Sequence, residues 1–193
     1  MSAVELQDRR FTEEEYLDLC LESMYKYEYN DGVVTMMAGG TPAHNQAKRN
    51  LYNFLLLNKG ECQLFDSDTA IHVEDVNRYF FADMSGLCGP TYLSDKPGIE
   101  RLLNPQLIIE VQSKSTATYD QGEKFAMYRH LPSLREYITV DSQHFLVSTY
   151  YRDESGNWRI GNYYRLDQEV KIITFGVSVP MSTIYEGVTM VKD

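Results

Sequence analysis

Near the N-terminus, the pattern of hydrophobic and polar positions predicts a helix followed by a β-hairpin. Residues 12–15 form a Thr-x-x-Glu capping box, and apolar residues follow it at helical spacing. Segments 25–30 and 33–37 alternate in polarity on either side of Asp31-Gly32, a dipeptide typical of two-residue hairpin turns. We therefore expect a short helix and then an antiparallel strand pair.

The middle of the chain changes from helical to strand character. The Thr41-Pro42 pair suits an N-cap and first turn, and this second helix is predicted to run to about Lys59. Segments 63–73 and 78–87 each have the composition of one strand, and the polar segment 74–77 predicts the turn between them.

The second half of the chain predicts a strand–helix–strand unit and another hairpin. Segment 107–111 is apolar except for one acid, which is typical of a strand buried on both faces. A helix over about 119–130 and a strand over 136–140 follow, an order that implies a right-handed crossover and parallel pairing. Segments 145–152 and 158–166 form the hairpin. The pattern predicts an α/β or α+β fold, with a mixed, twisted β-sheet flanked by a few helices and β-hairpin additions.

Composition and charge narrow the possible functions. The 193 residues suit a single domain, 1–193, with no repeat or linker to divide it. Lys and Arg number 18 against 28 Asp and Glu, which gives a net charge of −10. A chain this acidic is not a general polyanion binder. Any contact with nucleic acid therefore needs a local basic site, or metal ions that offset the carboxylates.

The cysteines and the short apolar segments indicate a reduced, cytoplasmic protein. The first fifteen residues lack the apolar core of a secretory signal, and the longest apolar stretches are far too short to cross a bilayer. Cys20, Cys62 and Cys88 are odd in number, widely spaced and without a Cys-x-x-Cys pair. We expect free thiols in a cytoplasmic protein that has no membrane contact.

Two acidic residues interrupt apolar segments that are otherwise built for burial. Glu110 stands within segment 107–111, and Asp83 interrupts segment 79–84 in the same way. A carboxylate inside a core is costly unless a cation pairs with it or a metal binds it. Two acids that enter a core from neighbouring strands suit Mg²⁺ or Mn²⁺. The sequence leaves open the alternative that each acid pairs with an interior lysine or arginine.

Several short motifs occur in a fixed order along the chain. They are Asp83 and the segments 27–32, 38–45, 110–112, 113–116, 120–128 and 136–141. Together they resemble the PD-(D/E)XK nuclease superfamily, and more closely its Uma-two branch of restriction-endonuclease-like proteins, over about residues 11–188. The resemblance implies a restriction-endonuclease-like core and metal-dependent hydrolysis of DNA phosphodiester bonds.

The resemblance also implies a metal site at the two acids. Asp83 and Glu110, with the main-chain carbonyl of Val111, would hold Mg²⁺ or Mn²⁺. Glu28, from the first hairpin, would complete the ligand shell directly or through water. The metal would lower the pKa of a bound water and polarise the phosphodiester.

Two positions depart from the superfamily pattern. Ala82 stands where the pattern has its name-giving proline, which has a structural role. The other departure removes a positive charge. A lysine normally stands two residues after the strand acid, where this chain has Gln112, which carries no positive charge. Lys114 lies two residues further along the same strand face, about 6–7 Å away. Lys124 lies on the following helix, where members of the branch also carry a lysine. We expect Lys124 to supply the positive charge and Gln112 to position water.

Weaker predictions concern contacts with substrate. His44, at the start of the second helix, is a candidate substrate or phosphate contact, although a histidine there is also compatible with no role. Lys48, one turn further along, is the best local phosphate contact together with Arg49, and Lys114 is a third candidate. Asp120 suits the N-cap or first turn of the Lys124 helix.

The leading hypothesis is a metal-dependent endonuclease that acts on DNA. A homodimer is expected, because enzymes of this superfamily often pair active sites to cut two strands and C₂ is the commonest oligomer symmetry. The alternative is a degenerate nuclease fold kept as a binding or interaction module, which Gln112, the net charge and the lack of an extended basic face support. A third possibility is a small-ligand binding protein whose interior acids pair with buried bases.

Overall fold

The computed structural model describes residues 9–94, 98–113 and 120–190. Within these ranges the strands are β1 (Tyr27–Asn30), β2 (Val33–Met36), β3 (Gln63–Asp66), β4 (Ala70–Val73), β5 (Arg78–Phe80), β6 (Met84–Leu87), β7 (Arg101–Leu102), β8 (Leu107–Gln112), β9 (Glu136–Asp141), β10 (Val147–Arg152), β11 (Trp158–Tyr163), β12 (Glu169–Ile172) and β13 (Val177–Pro180). The helical elements are α1 (Glu13–Glu22), α2 (Pro42–Asn58), a 3₁₀ turn (Glu74–Val76), a π-helical turn (Asp120–Lys124), α3 (Phe125–Tyr128) and α4 (Met181–Ile184).

Two mixed sheets form the framework. The first has the strand order β2-β1-β5-β4-β7, and the second has the order β11-β10-β9-β8-β6-β3, while β12 pairs with β13. In the second sheet β8 and β9 are parallel, as the strand–helix–strand order predicted, and β6 runs antiparallel to β8. These mixed, twisted sheets with a few flanking helices confirm the predicted α+β architecture.

The local signals at the N-terminus are confirmed. Thr12 caps α1 with a complete capping box, and Thr41 caps α2 with Pro42 in its first turn. Asp31 and Gly32 join β1 to β2 with φ values of +42° and +93°. Both values are positive, which the favoured hairpin turn requires and which Asp-Gly accepts easily.

Two predicted strands are wrong, because each is divided between the two sheets. Segment 63–73 consists of β3 and β4, separated by a turn in which Asp66 accepts hydrogen bonds from Asp68 and Thr69. Segment 78–87 consists of β5 and β6, and the chain passes from one sheet to the other at 81–83. The sequence sign of this second break is a single acid, Asp83, which was predicted to lie inside one strand. As a result Asp83 lies at the start of β6, where the two sheets meet.

The predicted helix over 119–130 is also shorter and less regular than expected. Within the described residues it consists of the π-helical turn and α3, and residue 119 lies outside them. Beyond residue 166 the structure adds β12, β13 and α4, for which no prediction was made. Among the described residues, no helix is long and apolar enough to cross a membrane.

Alternation along β8 places its two faces in different cores. Ile108 packs in one core with Tyr128 and Tyr137, whereas Ile109 and Val111 pack in the other core, which α2 covers. Glu110 therefore shares the Ile108 face, as strand periodicity predicts. This face is covered by the helical segment that carries Lys124.

The prediction of three free thiols is wrong. Cys62 and Cys88 form a disulfide, and Cys20 remains free. The two residues flank the paired strands β3 and β6, and the register that sets Gln63 opposite Leu87 brings them side by side. A sequence separation of 26 gave no hint of this strand pairing. Because disulfides are rare in cytoplasmic proteins, the bond argues against the predicted cytoplasmic location, which stays a prediction.

Reduction of this disulfide is expected to lower the free energy of unfolding. The disulfide closes a loop over a separation of 26 residues, and the lost entropy of the unfolded chain stabilises the folded state by about 3.5 kcal/mol. Urea unfolding with and without a thiol reductant measures the difference. A Cys62→Ser/Cys88→Ser variant should not respond to the reductant, and a Cys20→Ser variant should respond like the wild type. Equal stability of the wild type in both conditions would contradict the prediction.

Candidate active site

Asp83 is the meeting point of three elements. Its Oδ2 atom accepts a hydrogen bond from the Val111 N–H at 2.8 Å and lies 3.0 Å from His44 Nε2. Its Oδ1 atom lies 3.2 Å from Lys48 Nζ. His44 and Lys48 come from successive turns of α2. The carboxylate is thus held between β8 on one side and two basic side chains on the other.

Glu110 is a nearly buried carboxylate, 4 % exposed, whose two oxygens have different surroundings. Oε1 lies 2.9 Å from Lys124 Nζ and accepts a hydrogen bond from the Tyr128 hydroxyl at 3.1 Å. Oε2 is turned towards Asp83, whose N–H donates to it at 3.4 Å. Among the described residues, the strong donors therefore lie on one oxygen, and the oxygen that faces Asp83 keeps lone pairs available.

Lys124 joins the two sheets through its ammonium group. The side chain is nearly buried, and Nζ lies 3.0 Å from Glu28 Oε1 as well as 2.9 Å from Glu110 Oε1. Glu28 comes from β1 of the first sheet, and its Oε1 also accepts a long hydrogen bond from the Phe81 N–H. One lysine thus balances two carboxylates that would otherwise repel each other in a medium of low polarity.

The pKa values follow from this arrangement. Burial raises the pKa of Asp83, but His44, Lys48 and the Val111 N–H outweigh it and hold this pKa below its ordinary value. Burial raises the pKa of Glu110, and the nearby Asp83 and Asp120 raise it further against the attraction of Lys124. Both effects have the same origin, since the charged form is stable only where opposite charge replaces the lost water.

The basic partners respond in the opposite sense. Burial lowers the pKa of Lys124, but Glu110, Glu28 and Asp120 outweigh it and raise this pKa above its ordinary value. Burial also lowers the pKa of His44, and its hydrogen bond to Asp83 reverses the effect and leaves the pKa raised. The neighbouring carboxylates therefore favour the protonated form of Lys124.

The donor set fits a small divalent cation bound partly through water. In an extended strand the N–H and C=O of one residue point to the same side. Since the Val111 N–H donates to Asp83, the Val111 carbonyl faces the side of β8 on which Asp83 lies. Among the described residues, no three His, Cys, Asp or Glu side chains are grouped closely enough to enclose a metal. Mg²⁺ does not need such a group, because it commonly uses one or two carboxylates and keeps several waters.

The structure brings most of the residues predicted from the sequence together. Those in direct contact with one another are Glu28, His44, Lys48, Asp83, Glu110 and Lys124. Gln112 lies on the Glu110 face, two residues further along β8, and is buried. Asp120 is buried at the first position of the π-helical turn. Lys114 lies outside the described residues.

Two residues of the site had not been singled out. Tyr128 donates to Glu110, and its position four residues after Lys124 on one helical face was the available signal. Ser67, in the turn between β3 and β4, accepts a hydrogen bond from Lys48 Nζ at 2.8 Å. No sequence signal marks Ser67, since this turn was predicted to be strand.

Comparison with known proteins places the chain among related sequences. A family model described as "Uma2: Putative restriction endonuclease" matches residues 13–182. Two Synechocystis proteins are similar to the chain. Uncharacterized protein slr1290 is 32 % identical over 92 % of this chain and 93 % of its own length. Uncharacterized protein sll1609 is 31 % identical over 76 % of this chain and 84 % of its own length.

A solved structure has the same fold. It is the crystal structure of a "putative nuclease belonging to DUF820" from Anabaena variabilis, with a TM-score of 0.70 and 15 % identity. The match covers 93 % of this chain and 99 % of that chain. The mixed, twisted sheets flanked by a few helices form a restriction-endonuclease-like fold. The chain belongs to the Uma2 family.

Proposed function

We propose that this protein is a divalent-metal-dependent endonuclease that hydrolyses phosphodiester bonds of DNA. The observation that carries the proposal is the buried ammonium of Lys124, 2.9 Å from Glu110 and 3.0 Å from Glu28. Lys124, at the end of the π-helical turn, places beside Glu110 the positive charge that the Gln112 side chain does not carry. The nuclease-like family supports the same class of reaction.

The metal would be held by Asp83, Glu110 and the Val111 carbonyl, with Glu28 directly or through water. When bound, Mg²⁺ or Mn²⁺ supplies a water of lowered pKa and polarises the phosphodiester. Glu110 offers the Oε2 atom for this role, because Oε1 is engaged by Lys124 and Tyr128.

The other side chains position the site and its substrate. Lys124 fixes the Glu110 carboxylate and offsets its charge and that of Glu28. His44 and Lys48 contact Asp83, and both could donate to a phosphate if a cation bound the Asp83 carboxylate. Gln112 remains the candidate for positioning water, and Lys114 remains a candidate substrate contact.

Cleavage of supercoiled plasmid and of single-stranded DNA, with Mn²⁺ or Mg²⁺, tests the proposal. We expect cleavage by the wild type and none by Asp83→Ala. Asp75→Ala, which removes a carboxylate from an exposed turn, is the matched control and should cleave normally. A wild type that binds the metal and cleaves neither substrate would contradict the proposal.

Moving the lysine tests whether the reaction needs a cation on the Glu110 face. Lys124→Gln should remove cleavage, and adding Gln112→Lys should restore part of it, because a lysine two residues after Glu110 lies on the same strand face. The measurement is the cleavage rate of both variants beside Gln112→Lys alone. If the double variant is as inactive as Lys124→Gln, a cation on the Glu110 face is not what the reaction needs.

A second candidate function is a binding module that retains the nuclease fold. Gln112 at the position of the usual lysine and the net charge of −10 favour it. It predicts a wild type without measurable Mn²⁺ affinity, whereas the endonuclease proposal requires that affinity. We also propose a homodimer, which sedimentation equilibrium tests directly.

A further inference from the structure

We infer that a cavity beside the candidate active site receives a nucleobase from a single-stranded or locally unpaired stretch of the substrate. The inference rests on the proposed function, because it names the form of nucleic acid that the same site would take. Three observations support the inference: the position of the cavity, the two lysines between the cavity and Asp83, and the chemistry of the residues that line the cavity.

The cavity has a volume of about 810 Å³ and lies between α1, the start of β1, the turn between β3 and β4, and the segment before β6. Aromatic and polar side chains line it, among them Cys20, Tyr25, Lys26, Phe65, Phe81 and Glu100. Its size and mostly apolar walls with a few polar groups are those of small-molecule sites. A nucleobase is an aromatic ring with polar edges and suits such a lining.

The cavity adjoins the candidate active site along two segments of chain. Lys26 precedes Glu28 by two residues, and its carbonyl accepts a hydrogen bond from Met37 N–H, so the hairpin pairing extends to it. The Lys26 and Glu28 side chains therefore share a face, about 6–7 Å apart. Phe81, which lines the cavity, precedes Asp83 by two residues.

Two lysines connect the cavity to Asp83 through the turn at Ser67. Lys48 Nζ lies 3.2 Å from Asp83 Oδ1 and donates to Ser67 Oγ at 2.8 Å. Lys26 Nζ donates to the Ser67 carbonyl at 2.8 Å and also pairs with Asp68. In a chain of net charge −10, these two lysines form a local pair of cations between Asp83 and the lining of the cavity. It suits consecutive phosphates of one strand.

The charges favour a base, rather than a phosphate, inside the cavity. Asp68 and Glu100 are the acidic residues of the lining, and they repel a phosphate but accept hydrogen bonds from base amino groups. The Lys26–Asp68 pair is largely exposed, so exchanging Asp68 for a phosphate at Lys26 costs little. A base can enter only if it leaves the helical stack, as in a single strand or a flipped nucleotide.

Cys20 provides a direct readout of occupancy, because this free and partly exposed thiol lines the cavity. We would follow the alkylation of Cys20 by N-ethylmaleimide with mass spectrometry, in protein that keeps the Cys62–Cys88 disulfide. EDTA is present so that no cleavage occurs. A short single-stranded oligodeoxynucleotide at roughly ten times its Kd should slow alkylation about tenfold. The same sequence as a closed duplex should slow it much less.

The Lys26→Gln variant tests the role of the lysine pair. It should lose the protection of Cys20, and the salt dependence of oligonucleotide binding should fall by about one unit of slope. Arg165→Gln, which removes an exposed charge away from the cavity, is the matched control and should change neither.

Three results would overturn the inference. One is binding of the single strand, seen by fluorescence anisotropy, without protection of Cys20. Another is equal protection by single strand and duplex. The last is protection that rises with protein concentration alone, which assigns the cavity to a second copy of this chain. The Cys20 measurement is made in EDTA and does not depend on cleavage. A protein that cleaves no plasmid can therefore still show protection of Cys20, so failure of the proposed function and failure of this inference are distinguishable.

Discussion

Lys124→Met is expected to lower the free energy of unfolding by about 3–5 kcal/mol and to abolish cleavage. The lysine is nearly buried between the carboxylates of Glu110 and Glu28, and Met fills similar space without charge. Its removal leaves Glu110 buried beside Asp83 without its cationic partner. His44 and Lys48 still contact Asp83 from α2. Urea unfolding monitored by circular dichroism gives the stability change.

Two further variants separate charge from packing. Adding Glu110→Gln to Lys124→Met should recover part of the stability, because the unpaired buried charge disappears while the packing defect stays. Lys171→Met, which removes an exposed lysine from β12, should leave the stability within about 0.5 kcal/mol of the wild type. If Lys124→Met were as stable as Lys171→Met, the ion pair would not hold the site together.

The strand–helix–strand unit shows why part of the site could be predicted from the sequence. A single acid in an otherwise apolar strand fixed the face of Glu110, since alternation is a property of every strand. The crossover then returned the next helical segment over that face, which is the route by which Lys124 reaches Glu110. Both steps depend on local pattern and chain direction, and both are visible in one sequence.

The position of Asp83 depends on information that local pattern does not contain. The polarity of 78–87 is that of one strand, yet the chain leaves one sheet at Phe80 and enters the other at Met84. The contacts of Asp83 with His44 and Lys48 follow from how α2 packs on the second sheet, across 39 and 35 residues of sequence. The Cys62–Cys88 disulfide has the same cause, a pairing of β3 with β6 that only the folded sheet shows.

Glu110→Gln is expected to weaken Mn²⁺ binding by at least about a hundredfold, since loss of an outer-shell partner alone costs 10–100-fold. The amide keeps the shape of the side chain but presents a weaker oxygen ligand and no charge to Asp83. Lys124 keeps its contact with Glu28, so we expect the variant to fold. Isothermal titration with Mn²⁺ measures the affinity without any need for cleavage.

Tyr128→Phe is the matched comparison for this prediction. It removes only the hydrogen bond to Glu110 Oε1 and leaves the carboxylate and Lys124 in place. We expect an affinity loss of about tenfold, at the lower end for an outer-shell partner. The ratio of the two losses therefore reports whether the metal is bound through the Glu110 carboxylate itself. Equal losses would mean that Glu110 acts on the site only through its hydrogen bonds, and that the charge of Asp83 alone holds the cation.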